Sequence, residues 1–146
     1  MSKPIQRAGL IAAVALSFNL LGCDSKLDDA EVVGAIKGMI DEQLKIPVSE
    51  VKCPKGVEIR INKVFECQAT FKAGGELPVS VKITDEAGSI QMETKYKVLD
   101  PKDMRGEGME CGDTIVVLKP GTVVNCTAQG IKLVGTVNDK QEIDFE

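Results

Sequence analysis

The chain contains no histidine and no tryptophan, and only one tyrosine and four phenylalanines among its 146 residues. Without imidazole, no side chain exchanges its proton near neutral pH at its ordinary pKa. Serine–histidine and cysteine–histidine nucleophile pairs are therefore excluded, as are histidine-ligated metals. Scarce aromatics also exclude the stacking platforms on which single-stranded nucleic acid is held. Basic residues are outnumbered, 18 against 22 acidic. Long apolar runs are missing too, with a single exception at the N-terminus.

That exception has the three parts of a secretory signal. Lys3 and Arg7 supply positive charge, Ala8 to Leu21 form a largely apolar stretch of fourteen residues, and Leu20-Leu21-Gly22 leads into Cys23. The stretch is short of the roughly 20 residues that a permanent span requires. "LLGC" resembles the lipobox of bacterial lipoproteins. The resemblance implies that Cys23 is alkylated with diacylglycerol, becomes the first residue after cleavage at 22, and is then acylated on its amine. Two or three acyl chains give stable anchoring where one gives marginal binding. The expected place is the extracytoplasmic side of a cell membrane. Asp24, beside the lipid-bearing position, resembles an inner-membrane retention signal of enteric-type bacteria. An ordinary cleaved signal would leave Cys23 as a spare thiol in an oxidising compartment.

Without residues 1–22 the chain keeps 16 basic residues against 22 acidic ones, a net charge of −6. That balance argues against nucleic acid as a partner, and against an electrostatic grip on anionic lipid. The remaining cysteines, Cys53, Cys67, Cys111 and Cys126, form an even set, as in exported disulfide proteins. Their spacing is unlike that of a zinc knuckle, so no metal and no cofactor is expected.

Ser25 to Asp28 completes a short polar tether, residues 23–28, whose last four or five residues reach roughly 15 Å. The spacing of Val33, Ile36, Ile40 and Leu44, with Val32 and Met39 alongside, predicts an amphipathic helix that ends before Pro47. Asp28, Asp29 and Glu31 suit its start and Lys45 its end. Ala30, Gly34 and Gly38 form a small-residue row on the polar side, read as incidental residues on a solvated face. From Val57 the period changes to two. Val57–Asn62, Phe65–Lys72, Leu77–Ile83 and Ile90–Val98 each alternate apolar with polar residues, which predicts antiparallel strands with one buried face. The fold class expected is α+β: an N-terminal helix packed on an antiparallel β-meander over residues 29–99. A linker is expected at 100–110, marked by Asp100-Pro101 and the glycines of "MRGEGM".

After that break the pattern begins again. Cys53 aligns with Cys111, Phe65 with Val124, Cys67 with Cys126, Ala69 with Ala128, Ile83 with Val137 and Asp85 with Asp139. Residues 111–146 are thus expected to form a second, smaller antiparallel unit, a degenerate copy without a helix of its own. Four cysteines allow three pairings. If the halves are copies, each closes its own loop, Cys53 with Cys67 and Cys111 with Cys126, each bridge contributing roughly 3 kcal/mol. The competing arrangement, Cys53 with Cys126 and Cys67 with Cys111, would interlock the halves.

The helix followed by "VKCPKGV", "FECQATF" and "VSVKITDEAGSI" resembles the family called domain of unknown function 4333, common in actinobacterial lipoproteins, over residues 30–95. The resemblance implies a fold and a surface location, and no activity.

No catalytic residues emerge. Ser49, Ser80 and Ser89 have no base and no nucleophile elbow. Asp85-Glu86 and Asp139 lie in hairpin turns, where acidic residues serve turn geometry. "DEAG" falls short of a calcium loop. Asn125-Cys126-Thr127 matches a glycosylation sequon and is read as accidental. The expected function is therefore that of a membrane-anchored envelope lipoprotein, a non-catalytic binding or structural module for an envelope protein or glycan. The alternative is an inhibitor of an envelope hydrolase, presenting "KAGGELP" or "DPKDMRGEGM" as an exposed loop.

Overall fold

The computed structural model describes residues 25–105 and 107–146. Cys23, the signal segment and Asp24 lie outside the described residues. Helix α1 spans Asp29–Leu44. Asp28 caps it, its Oδ1 accepting from the amides of Ala30 at 2.9 Å and Glu31 at 3.2 Å. Lys45 ends it in the left-handed conformation, φ 55°, donating its N–H to the carbonyl of Ile40. Val32, Ile36 and Ile40 form the buried stripe. Gly34 and Gly38 face open space, as a solvated face requires.

The helix lies against a four-stranded meander, β1 (Val48–Lys52), β2 (Val64–Phe71), β3 (Glu76–Ile83) and β4 (Ile90–Thr94), in sequential order. Cys67, Ala69 and Phe71 of β2 and Leu77, Val79 and Val81 of β3 point inward onto α1. The opposite phase, Glu66, Gln68 and Thr70 paired with Ser80, Pro78 and Glu76, faces outward.

Two assignments along this stretch differ from the sequence expectation. Strand β1 was not expected, because a bulge between Val48 and Glu50 breaks the alternation that marks a strand. Residues 57–62 do alternate, yet they form no strand of the sheet. Val57 is buried, Asn62 turns with φ 66°, and residues 57–59 pair instead with the chain just before the helix. The amide of Leu27 donates to the carbonyl of Val57 at 2.9 Å, and that of Ile59 to Ser25 at 2.8 Å. From residue 25 onward the expected tether is therefore attached to the fold, with Leu27 packed against the first core.

The short strand β5 (Val98–Leu99) pairs with β7 (Val116–Val117) from the second half. Residues 100–110, read as a linker, carry helix α2 (Pro101–Arg105) and strand β6 (Met109–Glu110). Pro101 and Met104 are buried, and Met104 joins the second core, so this segment is part of the fold rather than a free linker. Strands β8 (Val123–Ala128), β9 (Ile131–Val137) and β10 (Ile143–Phe145) complete a second sheet, ordered β10-β9-β8-β6. Its core gathers Met104, Cys111, Leu118, Val124, Cys126 and Val137.

The disulfides are Cys53–Cys67 and Cys111–Cys126, each closed within its own half. Each extends a strand register by one step. Lys52 is opposite Gln68 and Glu110 is opposite Thr127, so each cysteine pair is the next rung. The Cα separations of 4.3 and 4.0 Å are those of closely facing cross-strand residues.

The halves also meet directly. Gly74 and Gly75, in the β2–β3 turn, pack against Thr114 and Ile115, and Ile115 is buried in the first core. Gln141, in the β9–β10 turn, accepts from the Lys97 amide at 2.7 Å and donates to the Lys95 carbonyl at 3.3 Å.

Candidate functional site

A concavity lies between the two four-stranded sheets. One wall is the outward phase of the meander, with Glu66 and Gln68 on β2 and Glu76 and Pro78 on β3. Strand alternation puts these side chains there, because their neighbours of opposite phase are held under α1. The other wall is the outward phase of β8, with Val123 and Asn125, and Thr122 just before the strand. Thr114 to Val117 form the floor. The Lys95–Tyr96 break between β4 and β5, clamped by Gln141, forms one rim. The cleft holds about 750 Å³ and is open to solvent along one side.

Its chemistry is that of hydrogen bonding. Gln68 and Asn125 each offer an amide donor and acceptor, Thr114 and Thr122 offer hydroxyls, and Glu66, Glu76, Lys95 and Lys119 bring charge of both signs. Tyr96 is the single tyrosine of the chain and stands at the rim, with the Lys95 ammonium 5.5 Å from its ring centroid. Val123 of the lining is exposed, as is Val134, which is opposite Asn125 in the second sheet.

None of these side chains was singled out in the sequence for binding. Outward-phase polar residues carry no mark that separates a cleft wall from a solvated face. Asn125 is marked in the sequence only by its sequon, and the cleft exists because β7 and β8 are brought over the meander.

The residues that were singled out fall elsewhere. Cys53 and Cys67 join the first core, and Cys111 and Cys126 the second. Cys111 also touches the cleft, with its Sγ 3.5 Å from the sulfur of Met104. Asp85 works as a turn residue. Its Oδ1 accepts from the amides of Ala87 at 3.0 Å and Ser89 at 2.9 Å. Hydrogen bonds from the Ser89 side chain and amide hold its carboxyl below the usual carboxylate range. The matching turn of the second half uses Asn138 rather than Asp139, with Oδ1 accepting from Lys140 at 2.9 Å and Glu142 at 3.1 Å. Of the two stretches read as projecting loops, "KAGGELP" has its glycines against Thr114 and Ile115 and its Leu77 buried. "DPKDMRGEGM" holds α2, tied to Asp113 through an ion pair with Arg105. Among the described residues no three carboxylates or cysteines gather as metal ligands would, and no helix is long and apolar enough to cross a membrane.

A helix over a disulfide-stapled meander, joined through the short β5–β7 ladder to a second stapled sheet that closes a cleft, defines a small α+β protein. The chain belongs to the family described as Domain of unknown function (DUF4333), whose model matches residues 11–88, more than half of the chain. No curated protein and no solved structure matches it.

Proposed function

We propose that the chain is an envelope lipoprotein, anchored through Cys23 on the extracytoplasmic side of the cell membrane, and that it is a non-catalytic module binding an envelope protein or glycan in the cleft between its sheets. The observation that carries the binding role is the cleft itself. Ligand sites are concave and set a few converging polar groups among apolar ones, as Gln68, Asn125, Thr114 and Tyr96 are set among Pro78, Ile115 and Val123. The anchor is supported by "LLGC" and by the extent of the family match, which runs back through Cys23 into the apolar stretch. We further propose that the second half is a degenerate copy of the first. Its support is the shared strand order, the two disulfides at equivalent rungs, and the similar Asp85 and Asn138 turns.

Two measurements test this reading. Cys23→Ser moves the chain from the membrane fraction to a soluble or unprocessed pool and abolishes fatty-acid labelling; unchanged partitioning and labelling would end the anchor reading. Co-purification from detergent extract, with the anchor intact, tests the cleft. A partner captured by the parent and lost from Gln68→Trp supports it, while equal capture by both places binding elsewhere.

A further inference from the structure

The first described residues decide how far the fold stands from an anchor at Cys23. Ser25 and Leu27 are hydrogen-bonded to Ile59 and Val57, and Lys26 is opposite Glu58. Only Asp24 separates Cys23 from this pairing, and two residue steps span at most about 7 Å. The loop that continues from Ile59, with the first residue of β2 that follows it, carries two of the large apolar side chains most exposed among the described residues. Ile61 is 51% and Val64 58% exposed. The loop is held in place, since the Asn62 amide donates to the Ile83 carbonyl at 2.8 Å and the Ile83 amide to that of Lys63 at 2.9 Å. The Asp85–Gly88 turn packs beside it, with Gly88 against Ile59 and Leu27.

We infer that this end of the domain rests on the bilayer, with Ile61 and Val64 entering the headgroup region, so that the anchor fixes an orientation as well as a location. The inference rests on the Cys23 anchor proposed above. The occupant of this apolar patch is the membrane, because a partner helix needs about 10 Å of thickness and the anchor leaves less. Charge does not drive the contact. Lys26, Lys63 and Lys82 stand against Asp85 and Glu86, and Arg60 is paired with Glu58 at 2.6 Å, so these groups carry a net charge of only +1. Insertion of two aliphatic side chains is the attraction, and it is insensitive to salt. Strand β2 leads away from Val64, and its eight residues carry Phe71 about 23 Å off. The Gly74–Gly75 turn and the second half therefore stand away from the lipid, with the cleft open to the envelope.

Because the chain has no tryptophan, a single indole reports its own surroundings. Ile61→Trp, Val64→Trp and, at the far hairpin tip, Ala73→Trp are placed in vesicles of phosphatidylcholine with brominated acyl chains. Each is prepared twice: once as the cell-processed protein, and once as residues 23–146 coupled through the Cys23 thiol to a maleimide phospholipid. The indoles at 61 and 64 lose at least roughly half their emission, at low and high salt alike, and the indole at 73 keeps its own. Equal quenching at all three positions, or none at 61 and 64 in the coupled protein, overturns the inference. Cell-processed protein that fails to float with vesicles, while the coupled protein shows the expected pattern, defeats the anchor and leaves the orientation standing.

Discussion

Two glycines of this chain respond oppositely to the same methyl group. Gly75 has φ +97°, a conformation rarely taken by residues with a Cβ, and an added Cβ would collide with the backbone carbonyl oxygen of Ile115. Backbone cannot swing aside as a side-chain tip can, so the β2–β3 turn must lift from the second half and draw Ile115 out of the first core. The conformational cost is about 1–3 kcal/mol and the overpacking cost about 1–3 kcal/mol. Gly75→Ala thus loses about 2–6 kcal/mol, a large part of the roughly 5–15 kcal/mol of a typical domain. Gly34 lies in mid-helix with nothing within 4 Å of an added Cβ. There alanine removes backbone freedom from the unfolded chain and gains about 0.5–1 kcal/mol. Both variants are compared with the parent by urea and thermal denaturation, monitored by circular dichroism with the disulfides intact. Gly75→Ala lowers Tm by about 10–20 °C, and Gly34→Ala raises it by a few degrees. An unchanged Tm for Gly75→Ala, or shifts of the same sign in both variants, would refute the close docking of the turn on Ile115.

Ile115→Ala empties a buried position shared between the halves and costs about 2–4 kcal/mol, read as a drop in urea midpoint. The local disulfides predict that cleavage at a single site engineered between Lys102 and Arg105 yields fragments that separate in denaturant without reductant; fragments joined until reductant is added would disprove the pairing. Asp85 has a native pKa below its unfolded value, so its contribution is whole above an unfolded pKa of about 3.9 and fades as pH falls through the native value. Asp85→Ala is accordingly less stable than the parent at pH 7, and the gap narrows in acid; a gap that is constant with pH contradicts the hydrogen-bonded turn.

The sequence by itself determined the elements whose signals are local. The 3.6-residue spacing from Val32 to Leu44, with Asp28 ahead and Lys45 behind, marks α1 almost to the residue, because capping and amphipathicity are written within one helix length. Period-two runs mark β2, β3 and β4 for the same reason. The cysteine pairing was legible only through the likeness of the two halves, which places each cysteine at the same rung of its own sheet. Tertiary structure decided the rest. Alternation in residues 57–62 could not show that its partner is the chain at 25–27, and the bulge in β1 hid a real strand. The segment read as a linker packs Pro101 and Met104 inward, a fact that depends on the surface awaiting them. The cleft depends most of all on assembly. Gln68 and Asn125 lie fifty-seven positions apart and look like any outward-facing polar residues. They become facing walls only because Gly74 and Gly75, lacking side chains, let the second half settle against the first.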